Sequence, residues 1–213
     1  MYLKVCGMRE SANIQSVLTL EPDWMGFIFY PHSKRYFPIE QAKRLADWNA
    51  STKKVGVFVN QSTATITHIA AEAELDLIQL HGDETPEFCN HIREIVRKPI
   101  IKAFGIGADF DFEQLAEYEG VCDYFLFDTK ATSYGGSGKV FEWELLKKYT
   151  LSKPFLLSGG ISLDNLPDLI IFLQSNPLPV YALDINSKFE LAPALKVVRL
   201  IRKFKETLVE SGL

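Results

Sequence analysis

The chain has 213 residues, 23 basic and 27 acidic, giving a formal charge of −4; 47% are hydrophobic and 23% charged. That balance excludes a disordered chain and a basic nucleic-acid binder. No run approaches the ~18 uncharged apolar residues of a membrane-spanning helix, and the length suffices for one substantial core.

The N-terminal Met1-Tyr2-Leu3-Lys4-Val5 has no apolar targeting segment. Tyr2–Cys6 is instead the first of eight short runs rich in β-branched and aromatic residues, followed by Trp24–Phe29, Lys54–Val59, Leu77–Leu80, Ile100–Ala103, Tyr124–Asp128, Phe155–Ser158 and Val180–Asp184. Helical patterns lie between them. Ile39 to Ala46 follows Pro38, a good first-turn residue. Ser62 to Ala70 places Ile66, Ile69 and Ala70 on one face. Thr85-Pro86-Glu87 opens a helix to Val96, with Thr85 as N-cap and Pro86 in the first turn. Leu163 to Leu173 and Ala192 to Leu208 also read as helices. The three cysteines, Cys6, Cys89 and Cys122, are widely spaced and form no disulfide framework, so a reducing cytoplasm is expected.

Strand and helix alternate throughout, about one pair per 25 residues, close to one βαβ step. Eight such units with no linker predict a parallel α/β fold: a single closed (β/α)8 TIM barrel over residues 1–213. The first βα turn, Cys6-Gly7-Met8-Arg9, lacks the glycine-rich loop of an open dinucleotide-binding sheet.

Barrel side chains alternate in and out, and the last inward one on each strand borders the mouth, where barrel active sites lie. Tyr2, Lys4 and Cys6 share a face of the first run, and Gln79 and His81 share one of the fourth. Lys102 is the polar residue of the fifth. Asp128 ends an apolar stripe with Tyr124 and Leu126, and Asp184 ends the eighth run. Each alone has a plain structural explanation: carboxylates cap helices, and single cysteines are usually small buried hydrophobes. Together they predict a polar ring at one end of the barrel.

Gly135-Gly136-Ser137-Gly138-Lys139 fails the nucleotide-loop pattern, because Ser133 holds the early glycine position and Val140 replaces the required Ser or Thr. We read it as a lid containing Gly135, Gly136 and Gly138. Leu157-Ser158-Gly159-Gly160 lets backbone N–H groups approach an anion, at a strand end where barrels commonly hold phosphate; a tight strand-to-helix turn is the alternative. Arg35, in the basic and aromatic stretch from Pro31 to Phe37, belongs either to a solvated loop or to a lid that grips a carboxylate or second anion. His32, His68, His81, His91 and the cysteines show no paired-ligand spacing, so no metal is expected.

In order along the chain, Lys4-Val5-Cys6-Gly7, Gly26-Phe27-Ile28-Phe29 with Ser33-Lys34-Arg35, Val55 to Asn60, Gln79-Leu80-His81-Gly82, Asp128 with the glycine lid and Phe141-Glu142-Trp143, and Leu157 to Gly160 resemble the motifs of the phosphoribosylanthranilate isomerase family. The resemblance implies a cofactor-free Amadori rearrangement of N-(5′-phosphoribosyl)anthranilate to 1-(2-carboxyphenylamino)-1-deoxyribulose 5-phosphate in tryptophan biosynthesis. It implies Cys6 as general base and Asp128 as general acid. Arg35 would hold the anthranilate carboxylate, Asp184 a sugar hydroxyl, and Gly159, Gly160, Asn186 and Ser187 the phosphate, with His81 in the substrate site. Asp128 would then need a pKa raised from ~3.9, and Cys6, starting near ~8.5, must become thiolate. Lys4, two residues earlier on the same face, is a candidate to lower it. The partner implied is this small phosphosugar, with no nucleic acid and no membrane, in a monomer or homodimer.

One segment departs. The family's eighth loop usually reads Asp-Val-Ser-Ser-Gly-Val-Glu; here it is Asp184-Ile185-Asn186-Ser187-Lys188-Phe189-Glu190. Lys188 at the glycine position either takes a left-handed φ costing roughly 1 kcal/mol, or reshapes the loop, or offers its ammonium to the phosphate. Two further readings stand beside the isomerase. A related bifunctional aminoaldose isomerase is disfavoured by Cys6 in place of an aspartate and by a single glycine loop. A barrel that binds a phosphosugar without turnover draws support only from the altered eighth loop.

Overall fold

β1 (Tyr2–Cys6) pairs in parallel with both β2 (Trp24–Ile28) and β8 (Val180–Ile185), and this double pairing closes the sheet. The structure, a computed structural model, describes residues 1–45, 51–129 and 142–213. β3 (Lys53–Phe58), β4 (Leu77–Leu80), β5 (Ile100–Ile106), β6 (Tyr124–Thr129) and β7 (Phe155–Leu157) follow in sequence order. Among the described residues, eight parallel strands thus form the expected closed barrel. Each run read from sequence ends within one residue of its strand, except the fifth, where β5 runs three residues past Ala103. Parallel strands covered on both sides read as continuous apolar stretches, and β4 and β7 are buried throughout.

Alternation along the strands divides the core. Leu3, Val5, Phe27, Ile78, Phe125, Phe127 and Leu183 point outward under the helices. Val55, Val57, Leu77, Ile101, Leu126 and Leu156 fill the barrel. At the end where the strands begin, four rings close the interior: Tyr2 stacks on Tyr181 at 4.6 Å between centroids, Tyr181 meets Tyr124 at 4.8 Å, and Trp24 sets its edge to Tyr124 at 5.3 Å. Polar strand ends therefore collect at the opposite, open end.

The covering helices follow their caps. α1 (Ser11–Leu18) packs Ile14 and Val17 inward. α2 (Thr63–Glu72) starts where the Ser62 hydroxyl accepts from the Thr65 N–H. α3 (Pro86–Val96) starts where Thr85 accepts from the Phe88 N–H, and ends on Arg97 at φ 53°. α4 (Leu166–Ser175) and α5 (Val198–Glu210) complete the layer. None of the helices among the described residues is long and apolar enough to cross a membrane.

Three helical readings are corrected. Ile39–Leu45 is a 3₁₀ segment, entered by a bond from the Gln41 N–H to the Pro38 carbonyl; Ala46 lies outside the described residues. The helix read from Leu163 begins at Leu166, beside Pro167. The helix read from Ala192 begins at Val198, because Glu190–Ala192 (β9) and Leu195–Lys196 (β10) form a small antiparallel hairpin turning at Pro193 and Ala194, the latter at φ 67°. Proline lacks the N–H that a continuing helix needs there.

Candidate active site

The barrel opens at the strand C-termini into a cleft of about 770 Å³, part of it facing solvent. Cys6, Gln79, His81, Asp128, Ser158, Gly159, Gly160, Asp184, Asn186 and Ser187 line it, together with Ile28, Val57, Val59 and Ile161 as an apolar wall. A mostly apolar pocket with a few convergent polar groups suits a small organic ligand.

Cys6 is buried at the end of β1, and its pairing partner on β2 is Gly26. A Cβ on Gly26 would stand 2.7 Å from the Cys6 Sγ, so the glycine makes room for the sulfur. One turn of the pleat below, Lys4 is fully buried with its Nζ 2.9 Å from Asp184 Oδ2. Burial works against the Lys4 charge, but the attraction of Asp184 and Cys6 outweighs it and raises the ammonium pKa. At Cys6, burial pushes the thiol pKa up; Lys4 pulls it back, Asp184 pushes with burial, and Lys196 helps Lys4. The net shift is upward, so Lys4 moderates the thiol pKa without bringing it below the ordinary value. Asp184 Oδ1 is buried and has no hydrogen-bond partner among the described residues, which leaves an acceptor at the cleft wall.

Asp128 ends the inward stripe of β6. Its Oδ1 accepts from the Thr129 N–H at 2.7 Å, yet burial prevails and raises its pKa to about 6. Across from Oδ2, at 3.8 Å, is His81 Nε2. The Gln79 side-chain amide donates to His81 Nδ1 at 2.7 Å, which leaves the ring proton on Nε2, toward Asp128. Burial, then Lys4 and Lys102, lowers the His81 pKa to about 3, so the ring is neutral. Gly159, at φ 92°, packs on this group: a Cβ there would collide with Thr129 Oγ1 and fall 3.1 Å from Asp128 Oδ1.

The loops after β7 and β8 form the remaining wall. Gly159 and Gly160 both have positive φ. Among the described residues their N–H groups donate to no protein acceptor. Asn165 fastens this loop, accepting from the Ser162 N–H and donating to the Gly160 carbonyl. A three-residue 3₁₀ turn, Ser187–Phe189, follows β8. Lys188 sits in that turn without a positive φ and is exposed, away from the residues lining the cleft. The loop therefore carries no left-handed strain at Lys188, whose side chain is not among those lining the cleft.

One residue sits differently from the sequence reading. Lys102 points out of the barrel, where its Nζ donates to the Gly82 carbonyl at 2.7 Å and pairs with the buried Glu84 at 3.2 Å. It ties loops together beneath the surface. Arg35 lies just behind the cleft lining, beside the Asn186 side chain over Gly7, and Glu190 grips it: Nε donates to Oε1 at 2.9 Å and Nη2 to Oε2 at 2.7 Å. Its Nη1 has no partner among the described residues. Gly135, Gly136 and Gly138, read as the lid, lie outside the described residues. Glu190 and Lys196, the support behind Asn186, were not singled out from sequence. The one available signal was Pro193, which marks a hairpin rather than a helix. Among the described residues, no three His, Cys, Asp or Glu side chains gather as metal ligands.

A family model described as N-(5'phosphoribosyl)anthranilate (PRA) isomerase matches residues 3–207. The chain belongs to the N-(5'-phosphoribosyl)anthranilate isomerase family. It is 45% identical over 217 residues to N-(5'-phosphoribosyl)anthranilate isomerase of Parabacteroides distasonis, covering all of this chain and 96% of that one. The crystal structure of the Thermus thermophilus enzyme superposes with a TM-score of 0.85 at 28% identity, covering 99% of each chain. A family structure in complex with reduced 1-(o-carboxyphenylamino)-1-deoxyribulose 5-phosphate superposes with a TM-score of 0.80 at 29% identity over the full length of both. As a phosphoribosylanthranilate isomerase family member, the chain is an isomerase of tryptophan biosynthesis.

Proposed function

We propose that the cleft opens the furanose ring of N-(5′-phosphoribosyl)anthranilate and isomerises it to the aminoketose, with Asp128 as acid and Cys6 as base. Protonated Asp128 gives its proton to the ring oxygen as the C1′–O bond breaks, and the anthranilate nitrogen lone pair forms the iminium ion. The Cys6 thiolate then takes the proton from C2′, and the electron pair moves into a C1′–C2′ double bond, giving the enolamine. Protonation at C1′ and loss of the C2′ hydroxyl proton complete the aminoketose with no net gain or loss of atoms. The substrate's own nitrogen is the electron sink.

The observation that carries this reading is that Cys6 and Asp128 line the same cleft, with Asp128 raised to about 6 by burial so that it holds a proton far more readily than an ordinary carboxyl. Neutral His81 faces Asp128 without competing as an acid. Asp184 Oδ1, without a hydrogen-bond partner among the described residues, suits a sugar hydroxyl. The free amides of Gly159 and Gly160, with Asn186 and Ser187 opposite, suit the phosphate. Glu190 occupies only the Nε–Nη2 edge of Arg35, so its Nη1 edge is available to the anthranilate carboxylate. That a family structure holds a reduced form of the product is consistent with this substrate. We place the protein in the cytoplasm, where its three free, buried thiols stay reduced, and read residues 1–213 as one domain.

The deciding experiment follows the loss of substrate fluorescence with purified protein and with Cys6→Ala. Consumption by the wild type alone is expected. Tight binding with no consumption would replace the enzyme reading with a binding barrel. Growth rescue of a tryptophan auxotroph lacking this step gives the same test in cells.

A further inference from the structure

Behind the cleft wall, four side chains join the two loops that flank the mouth. Glu190, at the start of β9, has a side chain only 4% exposed. Its Oε1 accepts from Arg35 Nε at 2.9 Å, from Lys196 Nζ at 2.5 Å and from the Ala194 N–H at 3.1 Å, while Oε2 accepts from Arg35 Nη2 at 2.7 Å. The carboxylate is thus fully committed and has nothing left for a ligand. Lys196 is fully buried and carries the chain of contacts onward, donating to Asn186 Oδ1 at 2.7 Å. Arg35 Cδ and Asn186 Oδ1 come together over Gly7, whose φ is 77° and whose Cβ, if present, would stand 2.6 Å from one and 2.8 Å from the other.

We propose that Glu190 is a positioning residue that, through Arg35 on one side and Lys196 with Asn186 on the other, fixes the spacing between the two ends of the cleft that receive the substrate's carboxylate and phosphate. The inference deepens the isomerase reading and rests on it. Two cations buried side by side repel and must each be neutralised. One bidentate carboxylate between them does both, and its rigid planar geometry fixes how far apart the two arms stand. The substrate is a rod with an anion at each end, so a shift in that spacing weakens both grips together.

The test compares three variants, each monitored for folding by circular dichroism and thermal melting. Kinetics with N-(5′-phosphoribosyl)anthranilate are combined with competitive inhibition by inorganic phosphate and by anthranilate. Glu190→Gln keeps the shape and one acceptor but loses the charge. It is expected to raise KM at least about tenfold, to weaken inhibition by both probes, and to change kcat far less. Lys196→Met removes the link from Glu190 to Asn186 and leaves the bidentate pairing of Glu190 with Arg35 in place, so it is expected to weaken phosphate inhibition while leaving anthranilate inhibition unchanged. Asn13→Ala is the structural control. It removes the side chain that bonds both the N–H and the carbonyl of Lys196, so it should lower the melting temperature without changing either inhibition constant. A folded Glu190→Gln protein with unaltered KM and inhibition overturns the proposal. So does weakening of one probe only in that variant, or an Asn13→Ala protein that reproduces its kinetics. If Glu190→Gln does not fold, Lys196→Met decides: unchanged phosphate inhibition overturns the proposal. A wild-type protein that does not consume the substrate defeats the isomerase reading instead, which separates the two failures.

Discussion

Lys4 and Asp184 are register partners across the seam where β1 meets β8, and their side chains pair at 2.9 Å inside the barrel. Cys6 is the next inward residue above Lys4, so the pair acts on the thiol directly. The two charges oppose each other there, and the attraction of Lys4 exceeds the repulsion of Asp184. Lys4→Met should therefore raise the Cys6 pKa further. It should also destabilise the fold by about 3–5 kcal/mol, since it strands a buried carboxylate. The pH dependence of iodoacetamide alkylation, with the labelled cysteine identified by mass spectrometry, reads the first effect; denaturant melting reads the second. An unshifted Cys6 titration removes Lys4 from the account of the thiol.

The pair of Cys6 and Asp128 also sets the pH profile. Catalysis requires one proton on the pair, held by Asp128. The form with that proton on the thiol instead has the same total protonation, so the two coexist in a fixed ratio at every pH. With Asp128 at about 6 and Cys6 above its ordinary value, kcat/KM should rise through about pH 6, level off, and decline only in strong base. A profile that falls through pH 6 contradicts the assignment. The substrate phosphate also ionises near ~6, so a carbon-13 NMR titration of Asp128 in the ligand-free protein identifies the limb.

Stability carries the same signature with its own sign. The native carboxyl keeps its proton up to about 6, while the unfolded chain releases it at the ordinary, lower value. The contribution of Asp128 is therefore most favourable below that ordinary value and is lost as pH rises through about 6. Asp128→Asn should match the wild type in acid and be more stable at neutral pH, as read from denaturant midpoints. Its kcat should fall by at least ~100-fold, as should that of Cys6→Ser, the usual loss for a positioned acid or base.

Gly26→Ala probes the placement of the sulfur rather than its chemistry. The new methyl would stand 2.7 Å from Cys6 Sγ and 3.2 Å from Cys6 Cα, so the thiol must move. We expect kcat to fall by roughly tenfold or more, with a stability loss of about 1–3 kcal/mol from overpacking. Wild-type turnover in this variant would show that the sulfur position is not critical.

The strand alternation visible in the sequence already places Cys6, Gln79, His81, Asp128 and Asp184 around one opening, because period two in a closed parallel barrel leaves little freedom. What it leaves hidden are contacts that depend on closure. Lys4 and Asp184 are far apart in the chain and become neighbours only when the eighth strand meets the first. Lys102 lies on the outward side of β5, and nothing local signals that Glu84 waits there to neutralise it. Leu195 stands three residues before Val198 of α5, so the helical spacing extends one turn too far back and conceals the hairpin that delivers Glu190 and Lys196 beneath the mouth.

The four packed rings of Tyr2, Trp24, Tyr124 and Tyr181 stopper the barrel at its far end. Among the described residues the cleft is consequently closed at that end and opens at the strand C-termini. A one-substrate, one-product rearrangement tolerates that architecture well, because nothing needs a second exit. Traffic, proton exchange with bulk water and any slow step of release must all take place at the same threshold.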